Sequence, residues 1–167
     1  MSFGAGNGIG MIISGIIGHF SYKRNVRYPP LIMGLSTLST CIPYYFLVNN
    51  VDENSNVAIV AVVGVATGIL SVIPVPIERV ILTNVTHPKT RGRANSLLGI
   101  VDELGKGLAP VFIALIIGAT NRRTAFNLAN IGLIISGVVT FVICLTVRKD
   151  EDQLQARIAE EQFNDLY

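Results

Sequence analysis

Five charged residues interrupt otherwise apolar sequence at spacings that could do chemistry. Asp102 and Lys106 are four residues apart, which places two side chains on one face of a helix, and Glu103 lies between them. Glu78 and Arg79 close an earlier apolar run. A carboxylate beside a lysine in a low-dielectric setting can change its protonation with conformation, which is the chemistry of gating or ion coupling. The plainer use is an intrahelical Asp102–Lys106 pair, with Glu103 meeting Arg79 of the preceding helix. Both uses stand on sequence alone. Catalysis has little to draw on: His19 and His87 stand without companions at metal-ligand spacing, and Cys41 and Cys144 lie far apart inside apolar stretches. No nucleophile–base constellation can be assembled, so neither an enzyme, a metal nor a cofactor is expected.

The elements that must position these charges are long and apolar. Charged residues make up 14% of the 167, against about 25% in an average soluble domain. Tryptophan is absent, glycine reaches 16 and the mean hydropathy is +0.54. Of the 13 basic and 11 acidic residues, only the five named above fall inside the apolar stretches Phe3–Phe20, Pro30–Val48, Val57–Val80, Asn95–Gly118 and Thr124–Val147. Each stretch is about 27–36 Å long as a helix, matching a hydrocarbon core of about 30 Å. Backbone polar groups in lipid must bond within their own segment, and the runs do not alternate as barrel strands do. The expectation is an all-α integral membrane protein, multi-pass, with five transmembrane helices over residues 1–148 and the lipid bilayer as its first partner. A polar cytoplasmic tail would follow over residues 149–167, where Leu154, Ile158 and Phe163 recur at roughly helical spacing, so both a short interfacial or cytoplasmic helix and a plain solvated tail stand open. A net charge of +2 without a basic, aromatic-interleaved run excludes a nucleic-acid partner.

Positive charge is biased to alternate gaps. Lys23, Arg24, Arg27, Lys89, Arg91, Arg93, Arg148 and Lys149 fall on one side, and only Arg122 and Arg123 on the other. By the positive-inside rule the first gap, the third gap and the tail are cytoplasmic and Met1 is outside, with Asp52 and Glu53 in the second, outer gap. The sequon Asn84-Val85-Thr86 then lies on or near the cytoplasmic face. The first run does not read as a cleaved signal, because its basic residues follow it. An outside N-terminus on an odd number of spans is the pattern expected of a chain whose earlier helices are missing.

Small residues recur four apart at Gly4/Gly8, at Gly6/Gly10/Ser14/Gly18 and at Gly64/Gly68, a spacing that lets membrane helices approach closely. Pro43, Pro74 and Pro76 each remove a backbone donor and should kink or break their helices. Asn7, Asn127 and Asn130 are expected to bond between helices.

Three patterns, in order, resemble the C-terminal half of a major facilitator superfamily transporter. Gly15-x-x-x-His19-Phe20-x-Tyr22-Lys23-Arg24 is similar to that superfamily's G-x-x-x-D-R-x-G-R-R loop, keeping the leading glycine and the basic pair but not the aspartate, arginine and second glycine. Pro88-x-x-Arg91-Gly92 resembles its P-x-x-R-G loop, and Gly105-x-x-x-Ala109-Pro110 its G-x-x-x-G-P helix motif with alanine for one glycine. The string from Asp102 to Pro110 also resembles spinster-like members. The resemblance implies helices eight to twelve of a twelve-helix fold, hence a partial bundle. It further implies that only the tenth of the cavity-lining helices is present, and that the eighth and eleventh face the missing half. A loop from that half would dock around Arg91 to Ser96.

The leading expectation is therefore a fragment of a secondary active transporter that moves an unidentified small-molecule solute by alternating access, not competent alone, with the missing N-terminal half or a partner subunit completing it. The alternative is a self-contained five-span scaffold or partner subunit without transport activity. A dual-topology transporter is disfavoured by the charge bias.

Overall fold

The computed structural model describes residues 2–51 and 55–164, for residues 162–164 the backbone alone. Every element is helical: α1 (Ser2–Arg24), α2 (Tyr28–Asn49), α3 (Val57–Val72), α4 (Pro74–Val85), α5 (Arg91–Ala119) and α6 (Arg122–Asn164). Asp52 and Glu53, assigned to the outer gap, lie outside the described residues, as does Met1.

Four segments are long and apolar enough to cross a bilayer: α1, α2, α3 with α4 taken together, and α6. The fifth expected span is present as α5, whose 29 residues give about 44 Å, but Asp102, Glu103 and Lys106 keep it below the same apolar standard. Large apolar side chains face outward along every helix, Ile12 at 70%, Ile42 at 76% and Leu145 at 76% exposure. Such a surface is insoluble in water and ordinary in lipid.

The bundle closes on small residues and one apolar knot. Helix α1 lays Gly6, Gly10, Ser14 and Gly18 against α3 and α4. A Cβ on Gly10 would stand 2.6 Å from Val72 Cγ1 and 2.7 Å from the Ile69 carbonyl oxygen, and one on Gly68 would run into the Phe3 carbonyl, so the α1–α3 seam requires glycine at both. The Gly4/Gly8 pair faces open space and is not part of a seam. Helices α2 and α6 form the second close pair, with the Phe141 ring seated on Gly34. Met33, Ile73, Ile77, Ile81 and Val147 meet where α2, α4 and α6 converge, with Ile77 fully buried.

The third expected span is two helices. Pro74 and Pro76 remove the donors that Leu70 and Val72 carbonyls would receive, and the helix breaks at Ile73. Ile73 keeps φ −52 and ψ −41, so the break loses backbone bonds without turning the chain. Helix α4 then runs to Val85, past the expected end at Val80. Pro43, in contrast, leaves α2 one continuous helix. Helix α6 does not end with the apolar run at Val147 but continues through the polar segment to Asn164, 43 residues or about 65 Å, so of the two readings of the tail the helical one is present, continuous with the fifth span.

Candidate functional site

Helix α4 delivers Glu78 and Arg79, and α5 delivers Asp102, to a cavity of about 210 Å³ closed by Val75, Leu98 and Val101. The pairing of α4 with α5 places two carboxylates and a guanidinium at one opening. Lys106 Nζ lies 2.7 Å from Asp102 Oδ2 and 3.0 Å from Glu103 Oε1, so a single ammonium holds both carboxylates. This corrects the expectation that Glu103 turns to Arg79. A lysine has enough reach to bond positions three and four residues before it, and the 100° between Asp102 and Glu103 is no barrier. The trio lies on a helix that buries no residue within this chain. Charge on a membrane-spanning helix requires a protein or water-filled neighbour.

The loop motifs fall at the end of α1 and in the turn between α4 and α5. Lys23 and Arg24 occupy the last turn of α1, where cations suit the helix dipole, and His19 stacks edge-on against Phe20 at 5.8 Å. Gly15 meets open space. The Tyr22 phenol of α1 meets the Glu151 carboxylate of α6, and Arg91 Nε is buried without a hydrogen-bond partner. Between α4 and α5, Thr90 N donates to the His87 carbonyl at 2.9 Å and Lys89 N to His87 Nδ1 at 3.2 Å, forming the turn that starts α5 after Pro88. Gly92 is exposed, with open space around it. The turn is tied to the extension of α6: Glu161 Oε2 accepts from Lys89 Nζ at 2.8 Å and lies 3.3 Å from His87 Nε2. The Lys89 ammonium holds the Glu161 carboxyl below the usual carboxylate range, with His87 adding to the effect. Gly105, Ala109 and Pro110 are exposed on α5, and a Cβ on Gly105 would meet open space.

Two features are absent from the sequence expectations. The first is a clamp on the helix break: Ser14 Oγ of α1 donates to the Ile73 carbonyl at 2.6 Å, and Ser36 Oγ of α2 donates to the Leu70 carbonyl, also at 2.6 Å. Its signal was Ser14, the lone serine of the first apolar run, and Ser36 in the Ser/Thr-rich start of the second, both flanking a proline-broken helix. The second is a cavity of about 510 Å³ lined by Phe3, Tyr44, Val48, Thr67, Arg122 and Phe126, with the Arg122 guanidinium 5.9 Å from the Phe126 ring centroid. The asparagines act between helices as expected. Asn49 and Asn127 exchange amide hydrogen bonds at 2.8 and 3.1 Å, Asn130 Nδ2 donates to the Cys41 carbonyl at 3.3 Å, and Asn7 Oδ1 accepts from Ser71 Oγ at 3.4 Å. Cys41 and Cys144 are free thiols. Among the described residues no group of three His, Cys, Asp or Glu is placed to hold a metal.

Comparison with known proteins agrees with these observations at the level of family. The family model described as Major Facilitator Superfamily matches residues 1–164. No curated protein and no solved structure matches the chain. A multi-pass helical chain with charge at a helix–helix cavity, matched by that family model over nearly its whole length, belongs to the major facilitator superfamily, a family of transporters and not of enzymes.

Proposed function

We propose that the chain forms helices eight to twelve, the C-terminal portion, of a secondary transporter that moves a small solute by alternating access. The observation that carries this reading is α5. It buries no residue, yet it presents a charged trio and the Gly105, Ala109 and Pro110 face to its surroundings. A membrane helix with those features is built to be covered by further helices. In this reading α1 and α5 border the other half, and the chain alone does not transport. The resemblance of the Asp102–Pro110 string to spinster-like members supports that subfamily.

Asp102, Glu103 and Lys106, with Glu78 and Arg79 across the cavity, are the gating or coupling group. Their charges sit where α4 and α5 must separate or close if the two slide. The loop residues Gly15, His19, Lys23 and Arg24, and Pro88, Arg91 and Gly92, are proposed to face the cytoplasm and to control that movement, and Gly105, Ala109 and Pro110 to pack against the other half. A photo-crosslinking residue at Ala109 tests the placement. It is expected to join α5 to transporter helices outside α1–α6, within or between polypeptides. Adducts with lipid alone, or with a second copy of the chain, overturn the reading and favour the self-contained scaffold. In a protein carrying both halves, Asp102→Asn is expected to lower transport or shift its pH dependence, and unchanged transport across pH reduces the group to a structural role.

A further inference from the structure

Where α6 leaves its apolar run, a groove of about 410 Å³ opens between α6 and the α1–α2 turn. Leu145, Arg148, Lys149, Asp152 and Ala156 line it from α6, at the spacing of one helix face, and Arg27 lines it from the turn. Three cations thus converge from two elements, against one carboxylate. Asp152 does not neutralise them: its Oδ2 stands 3.9 Å from Arg148 Nε, a loose pair on an exposed surface. The side chains of Arg27 and Lys149 have no hydrogen-bond or ion-pair partner among the described residues.

The groove is held in shape by backbone contacts. The Arg27 carbonyl accepts from Cys144 Sγ at 3.3 Å, pinning the turn to α6, and Arg27 N donates to Asn25 Oδ1 at 3.1 Å. The start of α2 offers little to an anion by itself, because Pro29 and Pro30 have no N–H and Tyr28 N is already bonded to the Asn25 carbonyl at 3.0 Å. Attraction must come from the cationic side chains. On the apolar side Leu145 is 76% exposed, and Val147 marks the last buried residue before the charges. Cations above an exposed leucine, at the depth where a membrane helix exits hydrocarbon, match the two halves of a phospholipid.

We propose that this groove binds the phosphate of an anionic membrane phospholipid, with Arg27, Arg148 and Lys149 on the headgroup and Leu145 against an acyl chain. The bound lipid bridges the α1–α2 turn to α6 and reinforces the contact made by Cys144. The proposal is independent of the transporter reading, since it needs only a membrane boundary at Arg148.

Thermal unfolding of the whole chain in neutral-detergent micelles tests it, with phosphatidylserine, phosphatidylcholine or inorganic phosphate added. Phosphatidylserine is expected to raise the Tm, while the other two do not. Arg27→Gln and Arg148→Gln are each expected to weaken the apparent affinity for phosphatidylserine at least threefold. Arg157→Gln, which removes the same charge from α6 outside the groove, keeps the response. An equal response to phosphatidylcholine, or an undiminished one in Arg27→Gln and Arg148→Gln, overturns the proposal. A response that inorganic phosphate reproduces assigns the groove to a soluble anion and overturns the lipid. If a groove variant does not fold, Lys149→Gln, at an exposed position, and the charge-keeping Arg148→Lys give the same reading: loss in the first and retention in the second.

Discussion

Ser36 Oγ donates a 2.6 Å hydrogen bond to the carbonyl of Leu70, the acceptor that Pro74 leaves without its helical partner. A buried carbonyl without a donor is costly in lipid, and here a neighbouring helix supplies one in place of the missing N–H. Ser36→Ala should therefore destabilise the bundle by about 1 kcal/mol. In a Pro74→Ala background, where residue 74 can again donate to Leu70, the same substitution should cost clearly less. Denaturation in mixed micelles across the four proteins measures the coupling, and equal costs in both backgrounds would show that Ser36 is not replacing the lost donor.

The two small-residue rows of α1 should respond oppositely to an added methyl. Gly10→Ala places a Cβ 2.6 Å from Val72 Cγ1 and 2.7 Å from the Ile69 carbonyl oxygen, an overpacking expected to cost about 1–3 kcal/mol. Gly8→Ala meets open space and should be neutral, or stabilising by up to about 1 kcal/mol through reduced backbone freedom. The same denaturation assay separates them.

The α6 extension should stay docked on the α4–α5 turn at neutral pH and detach in acid. Glu161 is held below the ordinary carboxylate value by Lys89, so its contribution is fully present above that value, about 4.3, and is lost as pH falls through the lowered folded value. Carboxyl-selective NMR titration of Glu161 should show the depressed midpoint, moving back toward the ordinary range in Lys89→Gln. The pair is exposed, so added salt should weaken the docking as well.

The charge bias predicts sidedness. Asn84 stands in the last turn of α4 and is expected to stay unglycosylated when the chain is made in a eukaryotic host. In a background lacking Cys41 and Cys144, Asp150→Cys should react with an impermeant maleimide only after the membrane is opened. Labelling of Asp150→Cys in sealed cells would invert the orientation.

Hydropathy and proline placement made much of this architecture legible. A continuous apolar run in lipid has few options besides a helix, and Pro74 with Pro76 marked the break before Ile73 was seen to carry it. The Asp102–Lys106 pair followed from helical spacing alone. The partner of Glu103 did not, because angular position on a helical wheel ignores the length of a lysine. The serine clamp was hidden for a different reason: it depends on which helices flank α3 and α4, and spacing along one helix says nothing about its neighbours. Nor could periodicity choose between the Gly4/Gly8 and Gly6/Gly10 rows, since both have the same repeat. Hydropathy marks where the apolar run of α6 stops, at Arg148, but not where the helix stops, because residues such as Gln, Leu, Ala, Arg and Glu keep a helix going in water.

The isolation of α5 also bears on how the protein is made. A helix with two carboxylates and an ammonium near its middle enters the bilayer poorly by itself, each such group adding about 2.5–3.5 kcal/mol at the centre of a lone segment. The mutual contacts around Lys106 lower that cost without removing it. Insertion of α5 during synthesis must therefore be cooperative, waiting on α4, already in place, and on α6, which is strongly apolar and follows after a two-residue connection, Thr120 and Asn121. Until those neighbours flank it, α5 is the segment most exposed to membrane quality control, and the order in which helices leave the ribosome becomes part of what stabilises the finished bundle.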